Sequence, residues 1–309
     1  MLNEAERMSG EQKYLGWTID YRTPAGASAF SGPDSVSWQI YKNPIALAIG
    51  GICAVLLEFA DPRIRSGVWD HSIFKQDPLG RAQRTGTAAM VGTYGPQEAA
   101  RRVIQGVNNM HARVQGTTPN GIAYDARDTE LLDWVSATAR YGFVMAYHHF
   151  VKPLSDDDMQ RYFKEGEVVA GLYGVKTHVR SLADFDSMMH ALEPYFEAHE
   201  INSEFLEIMR SGRATDSLPK SIQTAIAHAA IDILPPMVRE KLQLGAAYDL
   251  TLWQRWLVRR FGQLSDWLPD RNSPAAQACE RLGLPANFLW LSQGRRHRLL
   301  GQLNIGGVI

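Results

Sequence analysis

The sequence predicts an all-α protein, and three observations support this prediction. Helix-start signals recur along the chain, apolar residues follow them at spacings of three and four, and the alternating pattern of β-strands is nearly absent. The clearest start signals are Asn43-Pro44, Asp61-Pro62 and Asp77-Pro78. In each pair the polar side chain can accept a hydrogen bond from the first turn, and proline lacks an amide that the helix would leave unpaired. Each pair therefore predicts a helix that begins at its proline.

The first 42 residues precede these signals and lack a clear periodicity. We interpret residues 1–42 as an N-terminal arm, and Trp17, Phe30 and Trp38 indicate that this arm contacts the body. The run from 44 to 57 is so apolar that it predicts a helix buried on all sides. At about fourteen residues the run is too short to cross a bilayer.

The same logic predicts the remaining helices. A serine followed three residues later by an acid marks two further helix starts, at Ser155 and Ser181. Helical spacing predicts helices over 103–114, 128–151, 155–174, 194–209, 219–234 and 250–268. The core is expected to include Ile45, Leu47, Leu56, Val103, Val107, Val114, Leu131, Trp134, Val135 and Phe143. Since the turn-rich breaks are short, residues 43–267 form one predicted helical domain, with 268–309 as a C-terminal extension packed on the same body.

Composition excludes several classes of function. The 309 residues are 45% apolar, which is ample for a packed core, and the net charge of −1 argues against nucleic acid as a partner. Cys53 and Cys279 are isolated, so neither a disulfide framework nor a zinc pattern follows from them. The polar, acidic N-terminus is unlike a signal peptide, and together with the absence of a transmembrane run it leads us to expect a cytoplasmic protein.

Other common chemistries lack their motifs. The sequence has neither a glycine-rich nucleotide loop nor a serine-hydrolase elbow, so no nucleotide cofactor is expected. The pair His148-His149 invites a metal interpretation. However, adjacent side chains on a helix point about 100° apart, so the two imidazoles cannot readily share one ion.

His111 is the first candidate site residue. A helix over 103–114 would place it on an apolar stripe with Val103, Val107 and Val114. One interpretation is a core imidazole that is hydrogen-bonded to a carbonyl. The other is an axial ligand to haem iron, because a porphyrin needs an apolar slot and one basic nitrogen. The residues alone leave both interpretations open.

A second candidate cluster comprises Arg81, Arg84 and Thr85. Arg81 and Thr85 lie one helical turn apart, with Arg84 beside them. Two guanidinium groups and a hydroxyl at the edge of a pocket suit carboxylates, such as haem propionates, or a small polar ligand. A solvated basic helix face is the alternative, and these residues by themselves do not exclude it.

Several short motifs occur in a defined order between about residue 40 and about residue 265. They are Asp61-Pro62, Val68-Trp69-Asp70-His71-Ser72, Asp77-Pro78-Leu79-Gly80-Arg81, Arg84-Thr85, His111-Ala112-Arg113-Val114-Gln115-Gly116, Tyr124-Asp125-Ala126, Leu131-Leu132-Asp133-Trp134-Val135, Pro153-Leu154-Ser155 and, more loosely, Leu234-Pro235-Pro236. As an ordered set they resemble the catalytic domain of the MpaB and latex-clearing-protein oxygenase family.

The resemblance implies an all-α, single helical domain with a globin-like core and an oxygenase activity. Its characterised members bind haem b and cleave isoprenoid carbon–carbon double bonds with dioxygen. The implied cofactor is therefore haem b with its iron, and the implied partners are dioxygen and an apolar, isoprenoid-like small molecule. By position, His111 would be the proximal iron ligand, and Arg81, Arg84 and Thr85 would lie in the distal pocket.

The resemblance also implies a protonatable side chain near the distal face, for which Asp70 and His71 are the candidates. A polar helix end is the alternative interpretation of this pair. The sequence departs from the latex-clearing branch at Arg84, where that branch has lysine. Arginine keeps its proton and is a poor ligand, so the distal site is expected to be open and rubber is a doubtful substrate.

Two other classes of function remain open at this stage. The chain could bind haem or another planar apolar ligand without turnover, as a carrier or sensor. It could also be a family member that has lost its cofactor and retains an apolar cavity.

Overall fold

The computed structural model describes residues 12–14, 17–211 and 218–302, and it confirms the all-α prediction for these residues. The helices are α1 (Val36–Tyr41), α2 (Pro44–Phe59), α3 (Pro62–His71), α4 (Pro78–Tyr94), α5 (Gln97–His111), α6 (Thr129–Phe150), α7 (Asp156–Glu165), α8 (Glu167–Leu172), α9 (Leu182–Leu192), α10 (Glu200–Arg210), α11 (Lys220–Asp232), α12 (Pro236–Lys241), α13 (Leu252–Trp267), α14 (Pro274–Arg281) and α15 (Gln293–Gln302). Short 3-10 turns occur at Glu193–Tyr195, Ala246–Tyr248 and Phe288–Trp290.

The strands in these described residues form two small antiparallel hairpins. β1 (Gln12–Tyr14) pairs with β2 (Trp17–Ile19), and β3 (Gln115–Thr117) pairs with β4 (Ala123–Asp125). The second hairpin directly follows α5, so it begins where the candidate ligand His111 ends its helix.

The five helix starts that the sequence marks are confirmed by their hydrogen bonds. Asn43, Asp61 and Asp77 each cap the helix that begins at the following proline. Ser155 and Ser181 each accept a hydrogen bond from the amide three residues later. Such caps use neighbouring residues only, which is why the sequence is sufficient to predict them.

Three predicted helices have different bounds. The predicted helix over 103–114 ends at His111. Val114 instead directly precedes β3, and its carbonyl accepts a hydrogen bond of 2.9 Å from the amide of Ala126, the residue after β4. The predicted helix over 155–174 is divided at Gly166 into α7 and α8. The predicted helix over 194–209 begins only at Glu200, after a 3-10 turn.

The first core cluster forms around α2 and α6. These helices approach so closely at Gly50 and Gly142 that no side chain fits between them. A Cβ on Gly50 would lie 2.8 Å from the Gly142 carbonyl oxygen and 2.7 Å from the Phe143 Cα. Helices α9, α10, α11 and α13 pack around this pair.

The second core cluster joins the N-terminal arm and the C-terminal extension to α4 and α5. Tyr21, Trp38 and Phe288 are fully buried in it. Arg281 of α14 lies beneath them and donates hydrogen bonds of 2.7 Å to three carbonyl oxygens, those of Tyr21, Ala27 and Tyr94. One buried guanidinium therefore connects segments that are far apart in sequence.

A sharp bend of 112° separates α2 from α3. The buried Asp61 stabilises it, because its carboxylate accepts from the Arg63 guanidinium at 2.7 Å, and Arg63 also pairs with Glu130. Among the described residues, no single helix is long and apolar enough to cross a membrane. The bent α2–α3 pair meets that requirement of length and composition only when the two helices are taken together.

Only half of the predicted core residues are fully buried. Those that are buried are Ile45, Leu56, Val103, Leu131 and Trp134. Those that are half-buried are Leu47, Val107, Val114, Val135 and Phe143. The expectation that α2 is buried on all sides is wrong, because Gly51, Val55 and Glu58 on one of its faces are only half-buried. The globin-like description of this core stays a prediction.

The α2–α6 contact gives a first prediction. Gly142→Ala should destabilise the protein by about 2 kcal/mol, because the new methyl group collides with the Gly50 backbone. Gly51→Ala is the matched control, since a Cβ there meets no atom within 4 Å. Alanine also favours the helix, so this control should be neutral or stabilising by up to about 1 kcal/mol. Urea unfolding of both variants tests this, and equal effects would contradict it.

Candidate functional site

One face of α2 and one face of α6 are not covered by the first core cluster. The half-buried residues are Gly51, Val55 and Glu58 on α2, and Val135 and Ala139 on α6. Their spacing of three or four places each set along one side of its helix. We call these five residues the half-buried strip. A Cβ on Gly51 would meet no atom within 4 Å, so the strip has open space beside this residue.

The charge of Arg81 on α4 acts on one residue of this strip and on one residue of α5. Burial raises the pKa of Glu58, and the nearby positive charge of Arg81 opposes that rise. Burial lowers the pKa of His111, and the same Arg81 lowers it further. Residues from α2, α4 and α5 therefore converge at one location. Since α4 and α5 carry the second core cluster, this location lies between the two clusters.

His111 is the last residue of α5 and is half-buried. Its ring has no hydrogen-bond partner among the described residues, which disfavours the interpretation as a core imidazole bonded to a carbonyl. Because burial and Arg81 both lower its pKa below the usual value, the ring is neutral at pH 7. A neutral imidazole with a free nitrogen lone pair is able to bind a metal ion.

Arg81, Arg84 and Thr85 lie in the first half of α4, which Asp77 caps. The Arg81 guanidinium donates to the Thr85 hydroxyl, and that hydroxyl donates to the Arg81 carbonyl at 3.1 Å. Arg84 is half-buried and forms no ion pair within the described ranges. Arg84 therefore carries a positive charge that is available to an anion or to a developing negative charge.

Asp70 and His71, the sequence candidates for a proton acceptor, end α3 with exposed side chains. The Nε2 atom of His71 lies 3.1 Å from the hydroxyl of Tyr124, a residue of β4. The pair thus faces the second hairpin, and its proposed role stays a prediction.

Glu58 is a candidate that the sequence analysis missed. Its side chain is half-buried, and its Oε1 atom accepts a hydrogen bond from the Thr138 hydroxyl at 3.3 Å. Burial raises its pKa from 4.5 to about 7, although Arg81 and Thr138 both favour the ionised form. A carboxyl with a pKa near neutrality is suited to general base catalysis.

Arg140 of α6 is a second missed candidate. Its guanidinium stacks 4.3 Å from the centre of the Tyr162 ring. The Nε and one Nη atom are buried without a hydrogen-bond partner among the described residues. It also fills the space beside Gly166, where a Cβ would collide with it. Since a buried charged donor without an acceptor is costly, Arg140 indicates a place for an anionic group.

The sequence contains a weak signal for both missed residues. Glu58 is the acid that ends an otherwise apolar run, and Arg140 interrupts the apolar second half of α6. A charged residue in such a place more often lies at a helix end or in solvent than in a functional site. Only its surroundings in the fold show which of these applies.

The described residues contain no group of three or more His, Cys, Asp or Glu side chains that could hold a metal ion. His148 and His149 have ring centres 5.1 Å apart at 74°, and the Nδ1 atom of His148 accepts from the Leu154 amide. The two rings therefore do not point a free nitrogen at one common ion. Any metal at His111 would have only one protein ligand, as a haem iron does.

A surface cavity of about 630 Å³ lies elsewhere, between the N-terminal arm and the start of α5. It is lined by Asp20, Glu98 and Arg102 among others. His111 is at the opposite end of α5, roughly 20 Å away for a helix of this length. This cavity is therefore separate from the candidate site.

The fold and the convergence of His111, Arg81 and Glu58 define an all-helical protein with a candidate site between two core clusters. The family described as "ER-bound oxygenase mpaB/B'/Rubber oxygenase, catalytic domain" matches residues 38–267. The chain belongs to this family, which confirms the resemblance seen in the motifs. The description of this family is that of an oxygenase catalytic domain.

Two mycobacterial proteins are similar to part of the chain. They are the uncharacterized protein Mb2261 of Mycobacterium bovis and the uncharacterized protein Rv2237 of Mycobacterium tuberculosis. Each is 29% identical over 119 residues, which cover 37% of this chain and 46% of the relative. The chain thus spans about half the length of these curated relatives. No solved structure matches the chain.

The environment of Glu58 gives a second prediction. A carboxyl whose pKa is higher in the folded state retains its proton on folding, so stability falls as the pH rises from about 4.5 to about 7. Glu58→Gln removes this dependence. We expect the variant to gain stability relative to the unsubstituted protein by on the order of 2 kcal/mol between pH 4.5 and pH 8.

Chemical denaturation across this pH range measures the effect. Glu207→Gln is the matched control, because Glu207 is an exposed acid on α10. It should leave the pH dependence unchanged. If Glu58→Gln and Glu207→Gln behave alike, the Glu58 carboxyl is not desolvated and our view of the strip is wrong.

Proposed function

We propose that this chain is a haem b-dependent oxygenase that uses dioxygen to oxidise an apolar, isoprenoid-like small molecule. The observation that supports this most directly is the environment of His111. Its neutral, unpaired imidazole lies beside Arg81, whose charge also acts on Glu58 of the half-buried strip. An axial histidine, a cationic neighbour and an apolar wall are the features that a haem site requires.

The residues of the site fit the chemistry of haem b. His111 offers its lone pair to iron. Val55, Val135 and Ala139 offer an apolar surface to the porphyrin ring. The propionates need cationic donors, and Arg140 supplies buried donors that lack an acceptor. The orphaned guanidinium of Arg140 is the feature that an apolar ligand without acidic groups would leave unexplained.

Haem b bound at this site would supply the activation of dioxygen. Arg84 would then donate a hydrogen bond to negative charge that develops on oxygen, while Thr85 holds the neighbouring Arg81 through their mutual hydrogen bonds. Arg84 retains its proton at neutral pH, so it stabilises this charge without competing for the iron. The protein thus contributes polarity on one side of an otherwise apolar site.

Glu58 is the proposed base that removes an allylic proton from the substrate. With a pKa of about 7, its carboxyl is ionised in roughly half of the molecules at neutral pH. Arg81 favours the ionised form before the transfer, and Thr138 orients one carboxyl oxygen. Asp70 and His71 are the alternative proton acceptors, but their exposure to water makes them weaker candidates.

The proposal is tested by expressing the full chain with a haem precursor and recording its absorption spectrum. A Soret band and consumption of oxygen with an added isoprenoid are expected. A Soret band without oxygen consumption would instead support a carrier or sensor. A protein that stays colourless and still binds an apolar probe would support a family member that has lost its cofactor.

The identity of the iron ligand is a third prediction. His111→Ala should abolish the Soret band or shift it strongly, because no other side chain replaces the lost imidazole. His190→Ala is the matched control, since His190 is exposed and bonds only within α9. An unchanged spectrum for His111→Ala would show that another residue holds the iron.

The role of Arg140 is a fourth prediction. Arg140→Met should weaken haem binding about 10- to 100-fold, the value of one hydrogen bond to a charged group. Without haem, the same variant should keep its stability within about 1 kcal/mol, because the Nε and Nη atoms that lack a partner have no acceptor to lose and only the ring contacts with Tyr162 and Phe163 disappear.

Haem titration and thermal unfolding of the haem-free protein provide these two measurements. Arg161→Met on α7 is the control, because Arg161 is exposed and pairs with Asp158 at the surface. It should change neither quantity appreciably. A large loss of haem-free stability for Arg140→Met, with unchanged haem affinity, would assign Arg140 a purely structural role.

A further inference from the structure

Helix α13 carries large apolar side chains on its outer side. They are Leu252, Trp253, Trp256, Leu264 and Trp267, and we call them the tryptophan face. Trp253 is 64% exposed and Trp267 is 74% exposed. The rings of Trp253 and Trp256 stack on each other in solvent, with centres 4.8 Å apart. The exposed apolar area is on the order of several hundred Å², which is more than isolated surface residues explain.

Polar residues on the inner side of α13 fix the rotation of the helix about its own axis. Asp266 accepts from the Lys42 ammonium at 2.9 Å and from the Tyr147 hydroxyl at 3.2 Å. Arg255 pairs with Asp232 at 2.6 Å. Rotating the helix to bury its tryptophans would break these bonds. The outward position of the apolar side is therefore a stable property of the fold.

The outward charge of α13 is positive. Arg259 and Arg260 are exposed and form no ion pair in the part of the chain that the structure describes. Arg260 lies 5.9 Å from the centre of the Trp256 ring. The one acid of this helix is Asp266, whose charge faces inward to Lys42. Within α13, the outward side therefore carries cations and no carboxylate.

This charge distribution disfavours a second copy of the chain as the partner. A two-fold symmetric contact that uses the whole length of α13 is centred on its middle, between residues 259 and 260. It would bring Arg259 and Arg260 against the same two residues of the other copy, and like charges repel. An anionic surface meets the same arginines favourably.

We propose that the tryptophan face is a docking surface for an anionic lipid bilayer. Tryptophan rings prefer the boundary between lipid headgroups and acyl chains, and arginine stems extend to the phosphates. A helix that is apolar on one side, with cations beside it, lies in the plane of this boundary. The 16 residues of α13 give a contact roughly 24 Å long. This inference does not depend on the proposed oxygenase function.

The test is co-sedimentation of the full chain with phosphatidylcholine vesicles, with and without phosphatidylglycerol. Binding should be stronger with the anionic lipid and should weaken at high salt. Trp253→Ser combined with Trp256→Ser should weaken binding about 10-fold or more, because two anchoring rings are lost. Arg259→Gln combined with Arg260→Gln should lose about 5-fold for each charge on anionic vesicles only.

Arg295→Gln combined with Arg298→Gln is the matched control, because it removes the same charge from exposed positions on α15. It should leave vesicle binding unchanged. Circular dichroism should be the same for every variant, since the substituted side chains are exposed. Quenching of tryptophan fluorescence by brominated lipid adds an independent readout, and the tryptophan double variant should lose most of it.

Three outcomes would overturn the proposal. One is the absence of binding to either vesicle. Another is binding that the tryptophan double variant retains in full. The third is a dimer in sedimentation velocity that the same double variant dissociates, without vesicle binding, which would make a second copy the partner.

Discussion

The close contact of α2 with α6 at Gly50 and Gly142 is the constraint on which the rest of the structure depends. Because no side chain separates the two backbones there, the two helices pack as one unit. One side of this unit is buried in the first core cluster, and the other side carries the half-buried strip. The other helices of the first core cluster pack around this unit, whereas α4 and α5 belong to a second cluster. The candidate site lies between the two clusters as a consequence.

The charges of the site depend on this arrangement. In a solvated helix Glu58 would be an ordinary carboxylate, but here the desolvation of its carboxyl raises its pKa to about 7. The same burial keeps His111 neutral. Arg140 differs, because arginine keeps its proton and its positive charge on burial. Two of its buried donor atoms lack an acceptor. An anionic group would satisfy the donors of Arg140, and the carboxylates of haem b are such groups.

Helix α13 shows a different consequence of tertiary packing. Helical spacing predicts this helix, but it does not say which side of the helix faces the body. In the structure, Asp266 and Arg255 form ion pairs with the body, and Trp253 and Trp267 are exposed to solvent. Long-range ion pairs thus decide which side of this helix faces the body. The apolar outer side is what makes a lipid surface a suitable partner.

The sequence by itself determined the all-α class, the five capped helix starts and the family. Helix caps such as Asn43 and Asp61 bond to amides within three residues, and motifs around Arg81 and His111 are contiguous, so neither requires knowledge of the fold. Only the tertiary structure decided which of the half-apolar helix faces are covered, and with them the environment of Glu58. The physical reason is that burial and desolvation are contributed by segments distant in sequence. No local pattern contains them.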